Sequence, residues 1–483
     1  MSRLSDDQVD AIAQRVLQKM AGGGNAPMSP TAARAVQSGG ALPMGCFRSV
    51  DACVSAARKA FETFRELGME KRKAIIQSIR DKMTVHGEAL AREAWEETGL
   101  GRVESKIVKN RLVTLKTPGP EELHSEAWTG DDGLTLVERA PFGVIGAITP
   151  TTNPTSTIIC NTIGMLSAGN TVVFNVHPNA KRVSTRNVGL LNEAIVEAGG
   201  PANCVCAMAE PTIESAQELM THKGVRLLVV TGGPGVVKAA MNSGKRAICA
   251  GPGNPPVVVD ETADIDQAGR DIVLGASLDN NVICVDEKEV FVVDSVHDRL
   301  LRVMERHGAK VLTAPQVRAL DKVLFKETRG PNKPGVINKQ WVGKDASKIL
   351  AEIGLRVGSE IKLAVAPVSV DHPLIWTEQL LPVLPVARVK NVDEAIHYAV
   401  KAEHGFGHSA AMHSMHLGNL DKMARVINCS IFVKNGPIYA GLGEGGEGYT
   451  SFSIASPTGE GLTGPLTFSR VRRCVVKGHF RIV

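Results

Sequence analysis

Short β-branched runs alternate with helical stretches through most of this 483-residue chain, and that alternation limits the fold more than any other feature. GVIGAIT (143–149), NTVVFNV (170–176), VRLLVVT (225–231) and PPVVVD (255–260) are apolar throughout rather than on alternate residues. Strands of that kind are buried on both faces, the condition of a parallel sheet covered by helices on each side. Helical spacing marks 51–68, 69–99, 215–220 and 236–244 around them. The pattern resumes after residue 284 with strand-like FVVDSV (291–296), helical 298–308, 392–400 and 418–427, and SIFV (430–433). The chain reads as α/β, with a second α/β unit in its C-terminal half.

Length alone suggests about three domains. With 43% hydrophobic and 22% charged residues the composition is that of an ordinary globular protein. The net charge of +5 suits anionic ligands such as nucleotides or coenzyme A. Aromatics make up only 4% and no basic block is interleaved with them, so nucleic acid is not an expected partner. No apolar run approaches the ~20 residues of a membrane span, and MSRLSDDQVD is not a secretory signal. Nine scattered cysteines point to a reducing compartment, and the expectation is a cytoplasmic protein.

The first twenty residues stand apart. Leu4, Val9, Ile12, Ala13, Val16, Leu17 and Met20 form one face of an amphipathic helix that Ser5 would cap. Residues 21–44 follow as a Gly/Ala/Ser/Pro-rich linker. A tethered helix buries its apolar face either on its own subunit or on a partner, and the linker's length favours a partner.

Open parallel sheets bind ligands at the carboxyl ends of their strands, and three unusual segments fall there. LVVTGGPG (228–235) runs a strand into glycines before a helix, so Thr231, Gly232 and Gly233 could cradle a phosphate or simply make a tight turn. In AITPTTNPTS (147–156), Asn153 could donate to a developing oxyanion or cap the helix that follows. SLDNNVICVDEKEV (277–290) places Cys284 after a polar turn, as nucleophile or as buried filler, with Lys288 read as a surface charge.

Taken together, these segments resemble the aldehyde dehydrogenase superfamily over nearly all of residues 45–475. The match is best to its coenzyme A-acylating branch, the propionaldehyde and acetaldehyde dehydrogenases of bacterial microcompartments. The resemblance places the catalytic thiol of DNNVICVDEK at Cys284 and the oxyanion amide of PTTNP at Asn153. It implies cofactor contacts at Thr149, Pro150, Thr151, Thr231, Gly232, Gly233 and Gly251. VHPNA gives His177 in the nucleotide and coenzyme A pocket, and EQLLP gives Glu378 on the nicotinamide ribose. The segment GLTGPLTF (461–468) departs from the branch's usual version. The cofactor implied is NAD, with NADP possible because Lys181 and Arg182 could tolerate a 2′-phosphate; coenzyme A is the co-substrate and no metal is implied. The branch also implies that residues 4–20 direct the enzyme into a microcompartment shell.

One departure bears on the reaction. Hydrolytic members carry a water-activating glutamate where this chain has CAGPGNPP (249–256), with Gly251 standing in its place. The missing base favours acyl transfer to coenzyme A over hydrolysis. Two rivals are a hydrolytic aldehyde dehydrogenase and a silent nucleotide-binding shell component. The expected organisation is a targeting helix (1–20), a linker (21–44), a Rossmann-like cofactor domain (45–131, 142–255), a catalytic domain (256–440) and a β oligomerisation extension (132–141, 441–483) making a homodimer or homotetramer. What lowers the Cys284 pKa is not legible, a nearby helix start being one candidate. His404, His408, His413 and His416 read as loop and strand, Cys204 and Cys206 as core residues on one strand face, and Arg470, Arg472 and Arg473 as a solvated face.

Overall fold

The computed structural model describes residues 41–482, so the amphipathic segment 1–20 and most of the linker lie outside the described residues. The first sheet holds β1 (Cys46–Phe47), β4 (Val144–Ile148), β5 (Thr171–Asn175), β6 (Val205–Met208), β7 (Leu227–Thr231) and β8 (Ala247–Ala250). Its order is β1-β6-β5-β4-β7-β8, every pair parallel. A second parallel sheet joins β9 (Pro256–Val259), β10 (Glu289–Val293), β11 (Ala309–Val311), β14 (Leu363–Val368), β15 (Val383–Val389), β16 (Ser409–His413) and β17 (Ile431–Lys434). Its order is β11-β14-β15-β10-β9-β16-β17. An antiparallel ribbon of β2 (Glu126–Gly130), β3 (Gly133–Pro141) and β20 (Ser469–Lys477) stands apart. Two short hairpins, β12 (Phe325–Glu327) with β13 (Val336–Ile337) and β18 (Ile454–Ala455) with β19 (Gly461–Leu462), complete the strands.

Burial explains the continuous apolar runs. Val257 and Val259 of β9 join one core cluster while Val258 joins another, so both faces of the strand are covered. The covering helices include α1 (Val50–Phe64), α2 (Met69–Thr98), α3 (Val103–Lys116), α4 (Pro154–Ser167), α5 (Lys181–Glu197), α6 (Ile213–Thr221), α7 (Pro234–Met241), α8 (Ile265–Ser277) and α9 (Asp294–Arg306). α2 ends at Gly99, left-handed at φ 63°, the usual glycine stop. α6 starts with a reciprocal Thr212–Ser215 capping box.

Three local expectations are corrected. Within FVVDSV only the first part is strand, because Asp294 opens α9 at the end of β10. The antiparallel ribbon begins at Glu126 rather than residue 132, because β2 pairs along β3. Cys204 and Cys206 do not share a face. Cys204 precedes β6 after the left-handed Asn203 (φ 67°) and packs with Val205 and Ala207, whereas Cys206 packs with Met208 on the other side.

Candidate active site

The nucleophile candidate sits on a turn that needs unusual backbone. Asp279, Asn280 and Asn281 are all left-handed, at φ 47°, 56° and 63°. Asn and Asp tolerate that region better than other side-chain-bearing residues, but three in a row persist only when the surroundings fix them. They do. Asp279 Oδ1 accepts the Arg102 N–H at 2.6 Å, and its Oδ2 accepts Lys106 Nζ at 2.9 Å and Lys109 Nζ. Asn280 Nδ2 donates to Gly343 O and to Asp345 Oδ1, each at 3.0 Å. Asn281 Nδ2 donates to Ala276 O and Glu287 O, each at 2.9 Å. Gly101 (φ 72°) lets the turn close, since a Cβ there would come 1.9 Å from Asp279 Oδ1. The DNN segment is therefore an anchor for the loop that presents Cys284.

The expected surface charge at Lys288 is corrected. Its side chain is fully buried, as are Asp286, Glu287 and Glu289 around it. The chain turns here into β10, a central strand, and carries the charged tetrad inward. Carbonyl dipoles take the place of water: Lys288 Nζ donates to Asn281 Oδ1 at 2.7 Å, Ile283 O at 2.9 Å and Asn281 O at 3.2 Å. Burial raises the Glu287 carboxyl to about 7 and pushes Asp286 and Glu289 well above the carboxylate range.

Cys284 is half-buried and lines a cavity of about 150 Å³. Burial pushes its thiol up to about 12, the Glu378 carboxylate and Asp286 adding to the rise and Lys288 opposing it. Cys284 lies on a turn between the short 3-10 turn Leu278–Asn281 and β10, and the helix starts at Asn153 and Gly233 line the same cavity. The lining includes apolar Val282, Ile283, Leu380, Leu442, Phe452 and Ile454, together with Thr231, Gly232, Gly233 and Gly251.

Asn153 also lines the cavity, at the start of α4, but its side chain does not cap the helix. Asn153 Oδ1 accepts Lys109 Nζ at 2.7 Å instead, and Nδ2 donates to Thr152 Oγ1 at 3.3 Å. A lysine can only donate, so this contact fixes which end of the amide is oxygen. The NH₂ is then the donor end of the amide.

Glu378 is partly buried at the cavity wall, its Oε1 accepting the Gly253 N–H at 3.2 Å, and burial raises its pKa. The remaining predicted positions follow the sheet order. His177 follows β5, Thr149 β4, Thr231 β7 and Gly251 β8, so they succeed one another along the carboxyl edge. Thr149, Thr151 and His177 do not line the cavity itself. His177 Nδ1 accepts the Asn179 N–H at 3.2 Å. The Thr149 and Thr151 hydroxyls are buried without a hydrogen-bond partner among the described residues. α7 starts at this edge without a side-chain cap, and a Cβ on Gly233 or Gly235 would meet nothing within 4 Å. Open space over an uncapped helix start, beside orphaned hydroxyls, fits the phosphates of a dinucleotide.

Several contributors were not singled out from sequence. Lys106 and Lys109 sit on α3, a helix without any motif. Gly253 packs so closely that a Cβ would lie 2.7 Å from Cys284 O and 2.9 Å from His408 Cγ. His408 is buried, its Nδ1 at 2.6 Å from Ser409 Oγ and its Nε2 unpartnered among the described residues; burial and Lys288 push its pKa down to about 3. The sequence reads His408 only as part of a loop and strand. The other three histidines each have their own place: His404 faces Trp376 O at 3.0 Å, His413 ends β16, and His416 Nδ1 accepts the Asn419 N–H.

The profile of the aldehyde dehydrogenase family matches residues 37–329. The chain is 49% identical over 481 residues to the acetaldehyde dehydrogenase (acetylating) EutE of Escherichia coli strain K12, spanning 99% of this chain and 100% of that one. Its structure is similar to a propionaldehyde dehydrogenase from the Clostridium phytofermentans fucose utilisation bacterial microcompartment, with TM-score 0.88 and 47% identity over 91% of this chain and 100% of that one. It is also similar to Rhodopseudomonas palustris propionaldehyde dehydrogenase with bound CoA and an acylated cysteine, with TM-score 0.87 and 48% identity over 90% and 98% of the two chains.

Proposed function

The chain belongs to the aldehyde dehydrogenase family, in its coenzyme A-acylating branch, and from that premise we propose that it converts a short aliphatic aldehyde, propionaldehyde foremost, to its acyl-coenzyme A inside a bacterial microcompartment. Once its thiol proton has passed to solvent, Cys284 attacks the aldehyde carbonyl as thiolate, forming a carbon–sulfur bond and an alkoxide on the former carbonyl oxygen. The Asn153 amide and the Cys284 backbone N–H receive that charge. Bound NAD supplies the hydride acceptor, and Glu378, Thr231, Gly232 and Gly233 are the residues that would hold it. Loss of hydride leaves a thioester on Cys284. The coenzyme A thiolate adds to the thioester carbonyl, the Cys284–carbon bond breaks, and the enzyme thiolate returns.

The observation that carries this reading is the shared cavity of Cys284 and Asn153, whose wall at Gly251 bears no carboxylate. A side chain at that position would start 2.8 Å from Pro457 Cγ, so even the space for a water-activating base is filled. The missing base at that position supports release of the thioester by a thiol rather than by water.

The apolar wall of Ile283, Leu442, Phe452 and Ile454 supports a short aliphatic substrate. For the cofactor, Lys181 pairs with Glu210 and Arg182 with Glu97, which leaves neither cation committed to a 2′-phosphate and supports NAD. The ribbon of β2, β3 and β20 exposes Trp128, Val471 and Val475, and supports its role as the extension that joins subunits of a homodimer or homotetramer. The relative from a microcompartment and the amphipathic spacing of residues 4–20 support shell targeting.

The test compares kcat/KM for acetaldehyde, propionaldehyde and benzaldehyde, with coenzyme A and NAD or NADP. The reading expects propionaldehyde with NAD to lead, and preference for benzaldehyde would refute the substrate assignment. Removal of residues 1–20 is expected to leave activity intact and abolish encapsulation. Packaging of the truncated chain would sink the targeting role.

A further inference from the structure

The two amides assigned to the oxyanion share a feature. Each has its carbonyl oxygen on a buried ammonium. Asn153 Oδ1 accepts Lys109 Nζ at 2.7 Å, so the donor end of the same amide is its NH₂, the end assigned above to the oxyanion. The second donor, the Cys284 N–H, belongs to the peptide whose carbonyl is Ile283 O, and Ile283 O accepts Lys288 Nζ at 2.9 Å. The lysines come from different elements, α3 and the entry to β10, and both are buried.

We propose that Lys109 and Lys288 are positioning residues that orient and polarise, from behind, the two amides that receive the oxyanion. A cation on an amide oxygen draws electron density from the nitrogen and makes its N–H a stronger donor, an effect that low dielectric magnifies. It also fixes the amide before substrate arrives, so that no reorganisation is left for the moment of reaction. Buried lysines are costly, and the structure supports each one differently. Lys109 shares Asp279 with Lys106, whereas Lys288 relies on three carbonyl-type oxygens. Both positions let the ammonium reach an amide oxygen without entering the cavity, since neither lysine lines it. The inference rests on Cys284 and Asn153 acting as assigned above.

The test uses the full chain with Lys109→Met and Lys288→Met, read by the burst of reduced cofactor in a single turnover and by infrared difference spectra of the acyl-enzyme made with ¹³C-carbonyl propionaldehyde. Lys106→Met is the control: it takes a cation from the same Asp279 carboxylate but touches neither amide. Each amide-facing variant is expected to slow the burst about tenfold, a fraction of the ~10²–10³ lost with a whole donor, and to move the thioester carbonyl band to higher frequency. Lys106→Met is expected to leave the band in place whatever it does to the unfolding temperature. If Lys288→Met fails to fold, Lys288→Arg keeps the cation but displaces it, and Lys109→Met, with Lys106 still on Asp279, carries the test alone. An unmoved band and a wild-type burst in Lys109→Met would overturn the proposal, as would an equal band shift in Lys106→Met. Absence of any thioester in the wild type would instead overturn the assigned chemistry, so the two failures are distinct.

Discussion

Replacing Gly253 by alanine adds one methyl group, and the structure says where it goes. It would stand 2.7 Å from Cys284 O, a backbone atom, and 2.9 Å from Cγ of the buried His408 ring. Gly253 does not need a left-handed backbone, so the substitution isolates the steric effect. To reach a 3.0 Å contact the Cys284 peptide must move by 0.3 Å, and to reach an ordinary 3.4 Å contact by 0.7 Å. Misplacement by 1 Å at a reacting centre costs ~10²-fold, which scales to a loss of roughly 4- to 25-fold in acylation rate. Overpacking adds about 1–3 kcal/mol of destabilisation. Rapid-mixing measurement of the reduced-cofactor burst reads the first quantity and thermal unfolding the second. The Gly253 N–H bond to Glu378 would shift too, so the cofactor KM is expected to rise alongside. A Gly253→Ala enzyme with a wild-type burst and unchanged unfolding temperature would refute the idea that this glycine sets the position of the nucleophile's backbone.

Asn153→Ala is expected to lower kcat by ~10²–10³, about 2.7–4 kcal/mol of oxyanion stabilisation, while iodoacetamide still alkylates Cys284 at the wild-type rate; a kcat within threefold of wild type would remove the amide from the reaction. Glu287 offers a pH-dependent test. Its buried carboxyl, raised to about 7, holds a proton in the folded chain between 4.5 and 7 where the unfolded chain has lost it. Stability from this group is therefore present at low pH and lost as pH rises through about 7, by up to about 3 kcal/mol. Glu287→Gln, which can still accept the Ile438 N–H, is expected to raise the unfolding temperature at pH 8 and leave it nearly unchanged at pH 5. An equal effect at both pH values would contradict the buried-carboxyl account.

The parallel sheets were legible because uninterrupted β-branched runs have few other stable destinations, and β4, β5, β7 and β9 fall on the four runs that marked them. The ribbon strand at Gly133–Pro141 was legible too, but its partner Glu126–Gly130 was not, being only five residues, EAWTG, with no apolar alternation. Within the site, Cys284, Asn153 and Glu378 came from motif resemblance, and the structure brings them to one cavity. Lys109 left no trace, because a buried lysine on a helix has the same local spacing as a solvated one until its carboxylate, 170 positions away, is known. Lys288 misled for the same reason: DEKE is a surface sequence by composition, and only the strand that follows forces it inward. His177, which the motif assigns to the nucleotide and coenzyme A pocket, follows β5 on the carboxyl edge of the sheet and lies outside the cavity.

The most direct test of the central claim is reduced-cofactor formation from propionaldehyde and NAD, with and without coenzyme A, for the wild type and Cys284→Ala. The expected result is sustained turnover in the wild type only with coenzyme A, a single stoichiometric burst without it, and neither in Cys284→Ala. Sustained turnover without coenzyme A, or any burst from Cys284→Ala, would contradict an acyl-enzyme on Cys284 that only a thiol releases.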